Sequence, residues 1–171
     1  MEIDMQALKV GNDEAFEKIY NSTCKLVYSI CLSYMKDRFL AEDMMQETYL
    51  KVYSSIHQYQ NNTSPNSWIV TIAKNLCINE LKKRKRYVNI DMEMMDDLTD
   101  EQSNQDTPLL DIAFKILKEK ELTIVLLHII DQRKLVDIAK LLNTSEGTIR
   151  WRYNNALNKI RKYVERSKMN E

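Results

Sequence analysis

Only two glycines and two prolines punctuate this 171-residue chain. Tight hairpins draw on glycine for left-handed backbone and on proline for a preset φ, so few ways to build a sheet are open to it. Its long stretches rich in leucine, lysine, glutamate and methionine suit helices instead. No apolar run approaches the ~20 residues that cross a bilayer, and no basic-then-apolar leader opens the chain. A cytosolic protein without membrane insertion is the expectation.

Periodicity divides the chain. Phe16, Tyr20, Thr23, Val27, Ile30 and Tyr34 recur every three or four residues and predict a first long helix. A second begins near Phe39 and turns Ala41, Met45, Thr48, Val52 and Ile56 inward. Residues 58–67 (QYQNNTSPNS) form a polar turn cluster, with Ser67 as N-cap of a third helix that buries Ile69, Ile72, Ala73 and Leu76. These three helices make a first domain over residues 1–88. Residues 89–107 carry seven acids and no base, without periodicity, and read as a flexible acidic linker. Thr107-Pro108 then opens a new helix, with Thr as N-cap and Pro at the first helical position. Its inner face is Leu110, Ala113, Phe114 and Leu117. Residues 122–130 are nearly continuously apolar, as suits the central helix of a small bundle, and two more helices follow at 134–142 and 146–165. The expected fold is all-α: two small helical domains joined by a flexible acidic linker, the second (108–171) containing a helix-turn-helix.

That motif requires a small residue where its helices cross, a left-handed turn residue, and an apolar anchor in the second helix. Ala139, Asn143 and Ile149 fill these places, with Ile138 and Leu142 as partners. Asparagine tolerates positive φ better than other residues with a side chain. Thr144 stands where an apolar residue is usual. Ser145 caps the second helix, whose buried stripe is Ile149, Tyr153, Ala156, Ile160 and Val164. Arg150, Trp151, Asn154, Asn158 and Arg161 lie opposite. Arginine and asparagine pair with guanine and adenine edges in the major groove, and the first turns of a recognition helix reach them.

Charge supports the same reading. Residues 133–168 hold ten bases against three acids, although the whole chain has a formal net charge of zero. A basic face beside an acidic segment suits polyanion binding. Chemistry finds little footing. Cys24 and Cys31 lie seven positions apart on one helix, roughly 10 Å along its axis and too far for a disulfide. With Cys77 they read as core thiols. His57 and His128 are isolated, no carboxylate pair has catalytic spacing, and no cofactor or metal is expected.

Ala41-Glu42-Asp43 with Gln46-Glu47 and Tyr49, then Trp68-Ile69, Ile72-Ala73-Lys74-Asn75, then Asp137-Ile138-Ala139 with Gly147-Thr148-Ile149, stand in one order along the chain. In that order the chain resembles the extracytoplasmic-function (ECF) group of bacterial sigma factors, over about residues 15–87 and 109–164. The resemblance implies a subunit that binds RNA polymerase core and directs promoter-specific transcription initiation, not an enzyme. A sigma-like helix-turn-helix regulator that leaves the resident sigma factor in place is the alternative.

The resemblance assigns Asp43, Gln46, Glu47 and Leu50 to polymerase docking. It assigns Tyr59, Gln60, Asn61, Asn62 and Thr63 to a loop that captures a flipped base of the minus-ten element. Trp68, Lys74, Asn75 and Asn79 would track the same single strand, with Lys82 to Arg86 on its phosphates. Thr148, Arg150, Trp151, Arg152, Asn154, Asn155 and Asn158 would meet the minus-thirty-five duplex. An anti-sigma factor is the further partner the family implies. Lys118 and Thr123 depart from the leucine-proline turn and the arginine usual there, and Trp151 and Asn154-Asn155 replace small and basic residues.

Overall fold

The computed structural model describes residues 5–61, 63–91 and 108–169. Its elements are α1 (Met5–Lys9), α2 (Asp13–Met35), α3 (Arg38–Ser55) with a trailing 3-10 turn (Ile56–Gln58), α4 (Pro65–Asp91), α5 (Pro108–Ile116), α6 (Glu119–Ile129), α7 (Leu135–Leu141) and α8 (Glu146–Met169). Among the described residues there is no strand.

Local chemistry sets most boundaries. Gly11, at φ +80°, turns the chain between α1 and α2. The Asn12 side chain caps α2 by accepting from the Ala15 amide, and Asp37 caps α3 by accepting from Leu40 at 2.8 Å. Lys36, left-handed at φ 56°, closes α2. The third helix starts before the expected Ser67. The Trp68 amide donates to the Ser64 carbonyl at 3.0 Å, which puts Pro65 at the first helical position, where its missing N–H costs nothing. α4 runs on to Asp91, so the linker boundary set after residue 88 falls inside a helix. The rest of the acidic linker, 92–107, lies outside the described residues.

α2 is the spine of the molecule. Ile19, Leu26, Val27, Ile30, Cys31 and Leu32 are all buried, whereas Tyr20, expected on the inner stripe, is exposed. The buried surface is broader than one stripe because α3 and α4 pack on one side of α2 and α6 on another. A hydrogen bond with Cys77, with burial second, pushes the Cys31 thiol up and keeps it protonated, and both cysteines are buried.

α6 explains its own apolar sequence. Every residue from Glu121 to Leu127 is buried, because α2 covers one face and α7 and α8 the other. Leu122, Ile124 and Leu127 are enclosed almost completely, each side chain contributing ~1.5–3 kcal/mol by leaving water. The two helical units thus meet face to face. Their contact is partly polar: Thr123 donates to Ser33 at 2.8 Å, and the Lys36 ammonium donates to the Phe114 and Leu117 carbonyls at 2.6 and 3.2 Å. A cation at the C-terminal end of α5 also complements that helix's dipole.

Candidate nucleic-acid interface

The second unit has the geometry its sequence requires. Asn143 takes the left-handed conformation at φ 49°, and the Thr144 amide donates back to the Ala139 carbonyl at 2.9 Å. Ala139 and Ile138 are buried at the crossing, and Ile149 is fully enclosed. The Ser145 hydroxyl accepts from the Thr148 amide at 3.3 Å and shares a hydrogen bond with the Thr148 hydroxyl. This fixes the start of α8. Behind it, His128 Nδ1 donates to the Arg133 carbonyl at 2.7 Å and the ring meets Tyr153 edge-on, tying the α6–α7 turn to α8.

α8 then presents Arg150, Trp151, Asn154, Asn158 and Arg161 to solvent, Trp151 at 66 % exposure. An indole that open packs little against the described residues. Arg150 is held by Glu146 at 2.6 Å, an exposed pair one turn apart that is weak enough to exchange for a base edge. Two residues expected on this surface lie elsewhere. Asn155 donates to the buried Glu121 carboxylate at 2.8 Å and faces α6, because it falls a quarter-turn past Asn154 toward the Ala156 side. Arg152 is half-buried, at the cleft described below.

Glu121 is the anchor of that inner side. Burial pushes its carboxyl up, but hydrogen bonds from Lys159, the Lys118 amide and Asn155 outweigh it and hold the group below its ordinary value. Lys159 reaches both carboxylate oxygens at 2.8 Å.

In the first unit, Asp43, Gln46, Glu47 and Leu50 all face solvent on α3 and line a groove of about 290 Å3 with Met35, Leu40, Met44, Glu80 and Arg84. Two further residues belong to that face. Phe39 is 67 % exposed and Tyr53 48 %, and with Asp43, Gln46 and Leu50 they step by four, three, four and three along α3. Asp43, Gln46, Glu47 and Leu50 were expected on this face from the sequence, and Phe39 and Tyr53 were missed. Alternating steps of four and three are the spacing by which a helix face can pack on a coiled coil.

The loop before α4 differs from expectation. Tyr59 is buried: its hydroxyl donates to the Thr63 carbonyl at 2.5 Å and its ring meets Trp68 edge-on at 5.4 Å. It anchors the loop and offers no face for a base. Gln60 and Asn61 are exposed, the Gln60 carbonyl closing the turn with the Thr63 amide at 3.0 Å, while Asn62 lies outside the described residues. Trp68 is half-buried, and Asn75, Asn79, Lys82 and Arg86 are exposed along α4. Lys74 is half-buried, and burial lowers its ammonium below the usual lysine value. It shares a cleft of about 310 Å3 with Tyr34, Glu119, Lys120 and Arg152, so residues expected on two different DNA elements converge between the two units.

A two-part helical chain with a capped helix-turn-helix and an exposed helix-docking seam is the architecture of a sigma factor. The Sigma-70 region 2 profile matches residues 19–87 and the Sigma-70, region 4 profile residues 113–162. ECF RNA polymerase sigma factor SigW of Bacillus subtilis is 27 % identical over 94 % of this chain and 94 % of its own length. ECF RNA polymerase sigma factor SigX of the same organism is 23 % identical over 90 % of this chain and 85 % of its own. Among solved structures, the sigma factor RpoE in complex with the anti-sigma factor NepR from Bartonella quintana covers 88 % of this chain and 96 % of its own, at TM-score 0.64 and 18 % identity. CnrH in complex with the cytosolic domain of CnrY covers 94 % of each chain at the same TM-score and 14 % identity, and both share the fold. The chain belongs to the ECF sigma factors and directs DNA-templated transcription initiation.

Proposed function

We propose that this chain joins RNA polymerase core through the outer seam of α3 and divides promoter recognition between α4, with its preceding loop, and α8. The exposed stripe Phe39, Asp43, Gln46, Leu50 and Tyr53 carries the docking half. Three large apolar side chains open to water on one helix face cost solubility unless a partner helix covers them. The acids between them add polar selectivity at the rim.

In the promoter half, Gln60 and Asn61 offer amides to an unpaired minus-ten base, and Asn75, Asn79, Lys82 and Arg86 track the strand. Arg150 and Asn154 read the minus-thirty-five duplex, with Trp151 beside them and Thr148 at the capped helix start. Asn158 extends the same outward face. Asn155 contributes through Glu121, by fixing α8 on α6. The activity is binding, not catalysis, and its place is the cytoplasm, where polymerase works. An anti-sigma factor is the proposed regulator, by likeness of fold to a sigma factor solved in complex with one.

The test is run-off transcription with purified core polymerase. Replacing both Asp43 and Gln46 by lysine is expected to weaken core binding at least tenfold, on the scale of a buried interface contact, while circular dichroism stays unchanged. Full co-purification of the double variant with core would mean that this face of α3 does not carry the docking.

A further inference from the structure

The minus-ten loop has a support upstream of the segment matched by the region 2 profile, which begins at residue 19. Helix α1 is docked by its buried Met5 and Leu8 against α2 and the 3-10 turn. From this seat the Lys9 ammonium donates to the Tyr59 carbonyl at 2.8 Å and lies 5.7 Å from the centre of the Tyr59 ring. One turn earlier, the Gln6 amide donates to the side-chain oxygen of Asn61.

We propose that Lys9 is a positioning residue for minus-ten recognition, holding the Tyr59 backbone and ring so that Gln60 and Asn61 are set before DNA arrives. The proposal rests on the reading of this loop as the base-capturing element. Tyr59 is the loop's root, gripped at its hydroxyl by Thr63, at its ring by Trp68 and at its carbonyl by Lys9. Only the last grip comes from outside the loop and α4. Lys9 is half-buried, so its charge-assisted bond is less diluted by water than a surface contact. A loop fixed in one conformation presents its amides to set base edges, so a mismatched base leaves them unpaired instead of being accommodated.

The experiment uses the full chain with core polymerase on a promoter library randomised at both elements. Lys9→Met keeps the aliphatic stem that packs on Tyr59 and removes the donor, whereas Lys9→Arg keeps a cationic donor. Lys9→Met is expected to compress the preference between bases at one minus-ten position by on the order of tenfold. Minus-thirty-five preference and core binding should hold, and Lys9→Arg should recover most of the loss. A uniform fall on all sequences with a shallower salt dependence would make Lys9 a phosphate contact and overturn the proposal. A lower Tm with unchanged base preference would overturn it as well, leaving a brace for stability alone. The double variant Gln60→Ala/Asn61→Ala separates the two layers. If it alters minus-ten preference and Lys9→Met does not, only the role of Lys9 fails. If it leaves that preference intact, the loop does not read bases and both readings fall.

Discussion

Glu121 and Asn155 show how a single buried charge redirects its neighbours. On a helical wheel Asn155 belongs beside Asn154, among polar residues that face DNA. A carboxylate buried on α6 needs donors, though, and Asn155 and Lys159 supply them. The partner is 34 positions away in sequence, which is why no spacing rule on α8 finds it. Glu121→Gln is expected to cost about 2 kcal/mol at neutral pH, as a charged hydrogen-bond acceptor is lost. The carboxyl sits below its ordinary value of 4.5, so its stabilisation is present above that value and disappears as pH falls through the lower folded one. Thermal unfolding across pH should therefore show the Glu121→Gln deficit shrinking on the acid side, and a deficit constant down to pH 3 would remove the charge from the argument.

Arg150 lies at the other limit, exposed and paired only with Glu146. Breaking that surface pair costs little, so the guanidinium is free for the groove. Arg150→Ala should relax base preference at one or two minus-thirty-five positions by ~1–3 kcal/mol of discrimination. Arg161→Ala should chiefly reduce salt dependence. Transcription of a promoter library with each variant reads the difference, and an Arg150→Ala loss spread evenly over all sequences would reassign it to phosphate.

Helix ends and turns in this chain follow residues that can be named in advance. Ser145 caps α8, and Asn143 makes the left-handed turn of the helix-turn-helix. An ordinary L-residue in that conformation costs ~1–2 kcal/mol. Asn143→Ala should thus lower the stability of the second unit by about 1 kcal/mol while Asn143→Gly leaves it level or higher, as chemical denaturation would measure. Equal losses in both would mean that the Asn143 side chain matters more than its backbone. α4 instead begins at Pro65, three residues before the helix expected after Ser67, with proline at the first helical position as at Pro108. The outer seam of α3 was half legible. Asp43, Gln46 and Glu47 stand out as polar, but Phe39 and Tyr53 look like core until the fold shows which face α2 and α4 already occupy.

Across the entire chain, the contact between α2 and α6 has the largest consequence. The minus-ten and minus-thirty-five elements are about 25 base pairs apart by name, roughly 85 Å of B-form duplex. In the structure Lys74 and Arg152 line one cleft of about 310 Å3. On the proposed division of promoter recognition between α4 and α8, engaging both elements requires the two units to separate, so promoter binding is expected to part α6 from α2. Between the two units Thr123→Val removes one hydrogen bond and Lys36→Met two, while valine conserves the volume of threonine. Each lost bond is expected to shift the opening equilibrium by about fivefold, the worth of a ~1 kcal/mol hydrogen bond. Small-angle scattering should show a larger radius for the free double variant, and its affinity for promoter DNA should rise. An unchanged radius together with unchanged affinity would mean that these bonds do not hold the units together.

Helical class, the order of α2 to α8, the capped helix-turn-helix and the outward stripe of α8, though not α1, were legible in the residues. Each depends on periodicity, caps or backbone conformation within one or two turns of helix, and such terms are local. The burial of Tyr59, the inward turn of Asn155, the full seam on α3 and the meeting of α6 with α2 were not. Each of those depends on which surfaces distant helices leave uncovered. Thr123 illustrates the limit: in sequence it is only a departure from arginine, and in the fold its buried hydroxyl finds Ser33, 90 positions away.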